Sequence, residues 1–263
     1  MAGEPVPPAR EGIGTILTCL GERTTTRDVA VAVRDHYLGL YDAILARGLP
    51  TQVSVKLTHL GLEVDRDLCA ETLHLLAAHA AATGSYLWID IEESEYVDGT
   101  LALYREVRER HPDAGVCLQA YLHRTPDDVE ALLPLGPGIR LVKGAYREPP
   151  EVAHARKADT DAAYARLAER LLDEGRAFPV FGTHDARLVE HVRRSAVRSG
   201  CADGAYEVHM LYGIGEEAQR SLVRQGVPVR VLISYGENWF PWYMRRLAER
   251  PANLWFVAKN LLG

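Results

Sequence analysis

Hydrophobic and polar positions divide most of the chain into two alternating kinds of segment. Eight short apolar runs, rich in Val, Ile, Leu and Tyr and mostly bounded by Gly, Pro or Asp, predict strands over these ranges: Gly12–Leu20, Thr51–Leu57, Tyr86–Glu93, Val116–Leu122, Ile139–Tyr146, Phe178–Asp185, Tyr206–Leu211 and Val227–Gly236. Runs this short and this continuously apolar are typical of parallel strands that are buried on both faces.

The segments between these runs carry apolar residues at three- and four-residue spacing, which predicts helices. The segment from Thr24 to Gly48 begins with three threonines, which suit the start of a helix, and stops at a glycine, which suits its end. Segments 65–84 and 159–175 repeat this arrangement, with an acidic start and a terminal glycine.

Eight strands that are each followed by a helix, in a chain of 263 residues, predict a single-domain α/β fold, a (β/α)8 TIM-like barrel. The competing fold is a doubly wound open sheet, which usually carries a glycine-rich loop after its first strand. Neither G-x-G-x-x-G nor G-x-x-x-x-G-K occurs in the sequence. We therefore expect one barrel domain over residues 12–263, preceded by a flexible N-terminal tail over residues 1–11.

Composition narrows the classes of function. An apolar content of 47% and a charged content of 25% are ordinary for a globular protein with a sizeable core. A net charge of −6, with both signs mixed along the chain, argues against a nucleic-acid surface. The sequence has no apolar run of about 18 residues and no signal-peptide pattern. The four cysteines are scattered, so we expect reduced thiols in a cytoplasmic protein, and no disulfide framework or zinc site.

Polar residues stand near the carboxyl end of nearly every predicted strand, where a barrel of this kind builds its active site. They are Lys56, Asp90, Glu92, Gln119, Tyr121, Arg140, Lys143, Tyr146, Thr183, His184, Asp185, Glu207, His209 and Tyr235. Packing alone does not explain so many, so we expect the mouth of the barrel to hold a ligand. The cations Lys56, Arg140 and Lys143, together with the later pair Arg245 and Arg246, predict an anionic ligand or two, such as a phosphate-bearing cofactor and a carboxylate substrate.

Several of these residues have a simpler structural interpretation. His184 alone is more often a histidine bonded to the backbone than a functional group. Asp90 and Glu92, at i and i+2 of one strand, suit a divalent metal, but no matching ligands stand on a neighbouring strand, so we expect no metal and take Asp90 as the partner of a mouth cation. Gly144, within a predicted strand, indicates close approach of a ligand or of another backbone segment.

Taken in order, the stretches "SVKLTHLG", "IDIEES", "LQAYL", "IRLVKGAYREP", "GTHD" and "YGENWFPWYMRRLAERPAN" resemble the proline dehydrogenase family over residues 12–260. The resemblance implies a (β/α)8 barrel that holds FAD at its mouth. It also implies oxidation of L-proline to a cyclic imine by transfer of a hydride to the flavin, with electrons passed on to a quinone or another acceptor. No protein nucleophile is required, and the sequence shows no Ser-His-Asp or Cys-His arrangement.

The resemblance also assigns substrate contacts. It implies that Arg245, Arg246 and Lys56 grip the substrate carboxylate and that Glu249 steadies the two arginines. Tyr146 would pack against the substrate ring, and Asp90 would belong to the substrate network. The full substrate set is Lys56, Tyr146, Leu232, Trp242, Arg245, Arg246 and Glu249, with Asp90 and Arg140 nearest the chemistry.

Further residues are assigned to the cofactor. The resemblance implies that Arg140 lies near the flavin N5, that Gln119 hydrogen-bonds the isoalloxazine and that Ile91 contacts it. The rest of the FAD would be held by Lys143, Gly144, Ala145, Thr183 and His184.

Three positions depart from the family pattern. Leu232 stands where members have a substrate-contacting tyrosine, Trp242 replaces another tyrosine, and His209 replaces a glutamine that many members carry. A pocket altered this much shifts preference by about one to a few kcal/mol. We therefore expect oxidation of proline or a related cyclic secondary amino acid, with hydroxyproline, pipecolate and piperazate-like substrates as the alternative.

Two other classes of protein stay open on sequence grounds: a binding barrel without chemistry, and a metal-dependent barrel enzyme. Retention of Lys56, Asp90, Arg140, Arg245 and Arg246 together argues against the first. We expect a small-molecule amino-acid substrate, no nucleic-acid partner and at most peripheral association with a membrane. The oligomeric state stays open.

Overall fold

The computed structural model describes residues 12–236 and shows a closed barrel of eight parallel strands. Each strand pairs with its neighbours in the sequence, and the first strand pairs with the last. The strands are β1 Ile13–Cys19, β2 Thr51–Lys56, β3 Leu87–Asp90, β4 Ala114–Gln119, β5 Gly138–Val142, β6 Phe178–Gly182, β7 Glu207–Leu211 and β8 Val229–Tyr235. All eight predicted strands are confirmed, and their carboxyl ends meet at one mouth.

Seven α-helices connect successive strands within the described residues. They are α1 Arg27–Arg47, α2 Arg66–Ala82, α3 Val97–Arg108, α4 Thr125–Leu132, α5 Lys157–Glu174, α6 Ala186–Arg198 and α7 Glu216–Arg224. The predicted single (β/α)8 barrel is therefore confirmed. The tail over residues 1–11 and the chain after residue 236 lie outside the described residues.

The helix boundaries follow the capping residues that the sequence contains. The Thr26 side chain accepts from the Val29 N–H at the start of α1, and Asp65 does the same for Leu68 at the start of α2. Gly48 ends α1 in the left-handed conformation, with φ at 60°.

Most of the core lies between the outer faces of the strands and the helices. In β2, Val53 and Val55 point outward into this core, and both are fully buried. Gln52, which precedes Val53, and Ser54, which lies between the two valines, face into the barrel, because successive side chains of a strand alternate.

A second, smaller apolar cluster fills the barrel itself. Ile16, Trp88 and Val180 are its fully buried members, and Leu232 packs against them. Glycines on neighbouring strands make room for its larger side chains: a Cβ at Gly115 would lie 2.6 Å from the Trp88 ring. Large and small residues thus alternate around the interior, which leaves it packed and not hollow.

Candidate active site

The centre of the barrel mouth is a buried cluster of Asp90, Ser54 and Arg140. Asp90 ends β3 and forms an ion pair with the Arg140 guanidinium. The Ser54 hydroxyl donates to Asp90 Oδ1 over 3.0 Å and accepts from Arg140 Nη2 over 2.8 Å. Three strands therefore hold one charge pair, and the expectation that Asp90 is the partner of a mouth cation is confirmed.

Arg140 has donors to spare in this cluster. Its hydrogen bonds to oxygen within residues 12–236 are all made by Nη2. The side chain is only 5% exposed, and this burial lowers the pKa of Arg140, but the contacts with Asp90 and Cys117 together outweigh it, so the pKa is raised. Similarly, both hydrogen bonds to Asp90 within this range end on Oδ1. The cluster therefore offers guanidinium N–H groups and a carboxylate oxygen to a ligand.

The Trp88 indole underlies the guanidinium. The Arg140 Cζ lies 5.0 Å from the centroid of the Trp88 ring, which is a cation–π contact. The indole N–H donates to Gln52 Oε1 over 2.7 Å. The sequence did not indicate Trp88 as a site residue, because an aromatic residue in an apolar strand is expected to belong to the hydrophobic core.

Lys56 ends β2 next to Asp90 and is paired with a residue that the sequence did not single out. Its Nζ lies 3.1 Å from Glu22 Oε1, in the loop between β1 and α1. Both side chains are largely buried, at 10% and 9% exposure. A loop carboxylate carries no periodic signal, so only the fold identifies this partner.

Glu92 does not share the site of Asp90. Strand β3 ends at Asp90, so the alternation that would place both carboxylates on one face stops there. The Thr58 N–H and hydroxyl donate to the Glu92 carboxylate over 3.0 and 2.6 Å. Burial raises the pKa of Glu92 to about 7, against the lowering effect of these hydrogen bonds. The two carboxylates therefore bind different partners, Asp90 with Arg140 and Glu92 with Thr58.

Gln119 links two loops of the mouth. Its Nε2 donates to the Glu92 carbonyl over 2.9 Å, and its Oε1 accepts from the Ala145 N–H over 3.2 Å. One hydrogen of Nε2 remains for another acceptor. Ile91, which lies between Asp90 and Glu92, is buried at this position.

Gly144 follows β5 and is not inside it, because the strand ends at Val142. Its φ of 121° disfavours any side chain, and a Cβ there would overlap the Tyr121 ring. A group does approach closely, but it is the Tyr121 side chain and not the predicted ligand or backbone segment. Tyr146 is nearly buried just beyond this turn.

Lys143 lies in a group of opposite charges. Its Nζ is 2.7 Å from Asp161 Oδ1 and 3.0 Å from Asp185 Oδ2. The hydrogen bond from Lys143 is among the contacts that lower the pKa of Asp185, and they outweigh the raising effect of burial. Two carboxylates therefore offset the positive charge of Lys143 at this edge of the mouth.

Thr183 and His184 follow β6. The Thr183 hydroxyl accepts from the Asp185 N–H, which leaves its own hydrogen for another acceptor. His184 Nε2 accepts from the Leu211 N–H over 3.0 Å, and partial burial lowers the pKa of the ring. A backbone-bonded histidine is thus confirmed, and its Nδ1 carries the proton.

A second charge cluster lies on β7 and β8. Glu207 Oε2 accepts from His209 Nε2 over 2.9 Å and from Arg230 Nε over 2.8 Å. Burial lowers the pKa of His209 to about 4, so the imidazole is neutral at pH 7. The His209 and Trp88 ring centroids are 5.7 Å apart, with the ring planes nearly perpendicular. The second cluster therefore touches the same indole as Arg140.

Leu232 packs inside the barrel with Ile16, Trp88 and Val180. The remaining predicted substrate residues, Trp242, Arg245, Arg246 and Glu249, lie outside the described residues. The structure thus brings together Lys56, Asp90, Gln119 and Arg140 at the mouth of the barrel, with Leu232 lower in its interior.

The donors left over at the mouth suit a ligand that is rich in hydrogen-bond acceptors. They are the Gln119 amide N–H, the unused Arg140 N–H groups, the Thr183 hydroxyl and the His184 Nδ1–H. A flavin dinucleotide offers ring carbonyls, ring nitrogens and phosphate oxygens, so the residues present fit this cofactor.

The described part of the chain holds no group of three or more His, Cys, Asp or Glu side chains that could bind a metal ion. Its four cysteines are free thiols. None of the helices within residues 12–236 combines the length and the apolar character needed to cross a bilayer.

Comparisons with known proteins agree on one family. The family model described as "Proline dehydrogenase" matches residues 7–259. Proline dehydrogenase 2 of Bacillus subtilis is 34% identical over 251 residues, which are 95% of this chain and 82% of that protein. Proline dehydrogenase of Deinococcus radiodurans is 36% identical over 260 residues, with 96% and 83% covered.

The fold has a counterpart among solved structures. A mutant of proline utilization A (PutA) from Bradyrhizobium japonicum superposes with a TM-score of 0.81 and 25% identity. The match covers 94% of this chain but only 29% of the PutA chain. The similarity therefore concerns less than a third of that longer protein.

Proposed function

Because the chain belongs to the proline dehydrogenase family, we propose that it binds FAD at the barrel mouth and oxidises L-proline at the ring carbon next to nitrogen, giving the cyclic imine. The observation that carries the proposal is the cluster of Asp90, Ser54 and Arg140, whose spare donors and acceptor face the site.

The leftover donors support the assignment of the cofactor. We assign Arg140 to the N5 edge of the flavin, Gln119 and Ile91 to the isoalloxazine, and the remainder of the FAD to Lys143, Gly144, Ala145, Thr183 and His184. When bound, FAD accepts the two electrons and the hydrogen that leave the substrate carbon. A fixed guanidinium beside that edge stabilises negative charge that develops there, because its orientation is set before the reaction.

Asp90 and Lys56 serve the substrate in this proposal. The Asp90 oxygen that accepts no hydrogen bond within residues 12–236 is suited to the amine N–H of proline. Lys56 is suited to the substrate carboxylate, with Arg245 and Arg246 completing a clamp and Glu249 steadying them. Tyr146 and Trp242 would contact the substrate ring. Such a clamp supplies orientation, which is what the transfer needs from the protein.

The visible spectrum of the purified protein tests the proposal. We expect a yellow protein whose flavin absorbance bleaches when L-proline is added without oxygen. Reoxidation by a soluble quinone would identify the class of acceptor. The proposal would be contradicted if the protein takes up no added FAD, or if proline does not reduce the bound flavin.

A second candidate keeps the chemistry and changes the substrate. Leu232 packs on Trp88 and Ile16 and carries no hydroxyl, so the wall at this position is apolar. We propose to compare proline with hydroxyproline, pipecolate and piperazate by anaerobic bleaching. A clear preference for plain proline would reject the altered-substrate candidate. In that case the Leu232→Tyr variant should show no greater preference for proline than the wild type.

A further inference from the structure

Arg140 is held from two sides. Asp90 and Ser54 bind Nη2 from the mouth side. Trp88 contacts the guanidinium face from within the barrel, with the Arg140 Cζ 5.0 Å from the ring centroid. Polar contacts at one nitrogen alone leave the guanidinium plane free to rotate, whereas contact with a fixed ring restricts it.

The indole is itself fixed by contacts on several edges. Its N–H donates to Gln52 Oε1 over 2.7 Å. The His209 ring stands nearly perpendicular to it at 5.7 Å, and the Tyr86 ring lies 4.8 Å away. Gly115 packs so closely that any Cβ would lie 2.6 Å from the indole. Trp88 is fully buried, so it has no room for a second rotamer.

His209 suits this supporting role because it is neutral. Glu207 accepts from its Nε2, which places the proton there, and burial, with smaller effects of Arg140 and Arg230, disfavours a second proton on the ring. The imidazole therefore packs against the indole without competing with Arg140 for Asp90.

We propose that Trp88, clamped by Gln52 and His209, is a positioning residue that fixes the orientation of the Arg140 guanidinium toward the flavin. The inference rests on the proposed function, because the orientation of Arg140 matters through the bound cofactor. With Arg140 oriented in this way, the protein should bind reduced FAD more tightly than oxidised FAD, because the reduced flavin carries more negative charge and is stabilised more by a correctly placed guanidinium.

The experiment compares the flavin reduction potentials of the wild type and of three variants. Trp88→Leu removes the ring, and Trp88→Phe keeps a ring face but lacks the N–H. Phe181→Leu is the matched control, since Phe181 is a fully buried ring on the outer face of β6 that packs on Tyr206.

We expect Trp88→Leu to weaken binding of reduced FAD about tenfold relative to oxidised FAD. For a two-electron couple this lowers the potential by about 30 mV. Trp88→Phe should shift the ratio about threefold, and Phe181→Leu less than twofold. If Trp88→Leu and Phe181→Leu lose the same thermal stability and have the same flavin potential, the proposal is overturned. Trp88 would then contribute only to core packing.

Crystal structures of the cofactor-free proteins give an independent measurement. Removal of the ring should let the Arg140 guanidinium plane rotate about Nη2, while the 2.8 Å contact of Nη2 with Ser54 can persist. An unchanged orientation of the Arg140 guanidinium plane in Trp88→Leu would overturn the proposal whether or not FAD binds. A wild type that takes up no FAD would contradict the proposed function alone. If Trp88→Leu does not fold, the flavin potentials and cofactor-free crystal structures of Gln52→Leu and Trp88→Phe test the proposal in its place.

Discussion

Two charge clusters touch the same indole inside the barrel, and they share a composition. The upper one pairs Asp90 with Arg140, and the lower one pairs Glu207 with Arg230. Each adds one neutral polar group, a serine hydroxyl above and the His209 imidazole below.

The clusters differ in what their groups leave unused. In the upper cluster, Arg140 uses one nitrogen, Nη2, for its hydrogen bonds to oxygen within residues 12–236, and Asp90 accepts on one oxygen, Oδ1. In the lower cluster, both hydrogen bonds to Glu207 likewise end on one oxygen, Oε2, but Arg230 uses two nitrogens: Nε donates to Glu207, and Nη1 reaches the Pro50 carbonyl over 3.4 Å. The upper cluster is therefore suited to a ligand, whereas the lower one serves the protein itself.

The same substitution in both clusters gives the largest expected difference. Arg140→Met should lower kcat/KM for proline about a thousandfold, equivalent to about 4 kcal/mol, since it removes the cation beside the reacting groups. Arg230→Met should keep kcat/KM within about threefold but lower the free energy of unfolding, because Glu207 loses a partner. Steady-state kinetics and urea unfolding measure both.

The two results could also invert the comparison. Equal losses of activity in Arg140→Met and Arg230→Met, measured at equal folded fraction, would show that the lower cluster also takes part in the chemistry.

Protonation of His209 should give the next largest effect. Its pKa is lowered to about 4, so the unfolded chain binds this proton more readily. Stability is therefore present above the ordinary histidine pKa and is lost as pH falls from about 6.5 to about 4. Between pH 7 and pH 5 we expect His209→Gln to lose about 2 kcal/mol less stability than the wild type. Parallel losses in chemical unfolding would contradict a neutral His209.

Glu92, at the mouth, should show the opposite pH dependence. Its pKa is raised to about 7, so its contribution is complete below about pH 4.5 and is lost as pH rises through about 7. Glu92→Gln mimics the protonated form, and the Thr58 hydroxyl can rotate to accept from the amide. Relative to the wild type, the variant should gain about 2–3 kcal/mol between pH 5 and pH 8. A constant difference would indicate that Glu92 stays ionised.

Gly14→Ala should give the smallest effect and affect only the lower cluster. A Cβ at Gly14 would lie 2.6 Å from Arg230 Nη1, and this flexible side chain can move aside. We expect a loss of about 1 kcal/mol and unchanged activity. Gly39→Ala is the control: Gly39 lies in α1 with no atom within 4 Å of the new Cβ, so it should gain about 0.5–1 kcal/mol. A fall in activity with Gly14→Ala would show that a change in the lower cluster affects the function of the upper one.

Much of the fold was predictable because its signals are local. Apolar runs located every strand, and Thr26, Asp65 and Gly48 marked helix ends through their own side chains or backbone freedom. The predicted terminal glycine of α2 is confirmed as well: Gly84 follows the cap residue Thr83 with φ at 61°, and the Ser85 N–H donates to the Ala80 carbonyl.

The site was predictable only in part. Strand ends and family resemblance pointed to Lys56, Asp90, Gln119 and Arg140, since side-chain alternation and strand direction suffice to bring them to one mouth. Glu22 was missed because a loop residue has no periodicity.

The sequence by itself determined the barrel, the polar mouth and the family, because strand length, alternation and capping act over a few residues. Only the tertiary structure decided which charges pair. It joined Arg140 to Asp90 across the barrel, directed Glu92 to Thr58, and placed Trp88 between Arg140 and His209. The physical reason is that charge pairing and the pKa shifts depend on distance and burial, and closing the barrel sets both between residues far apart in the chain.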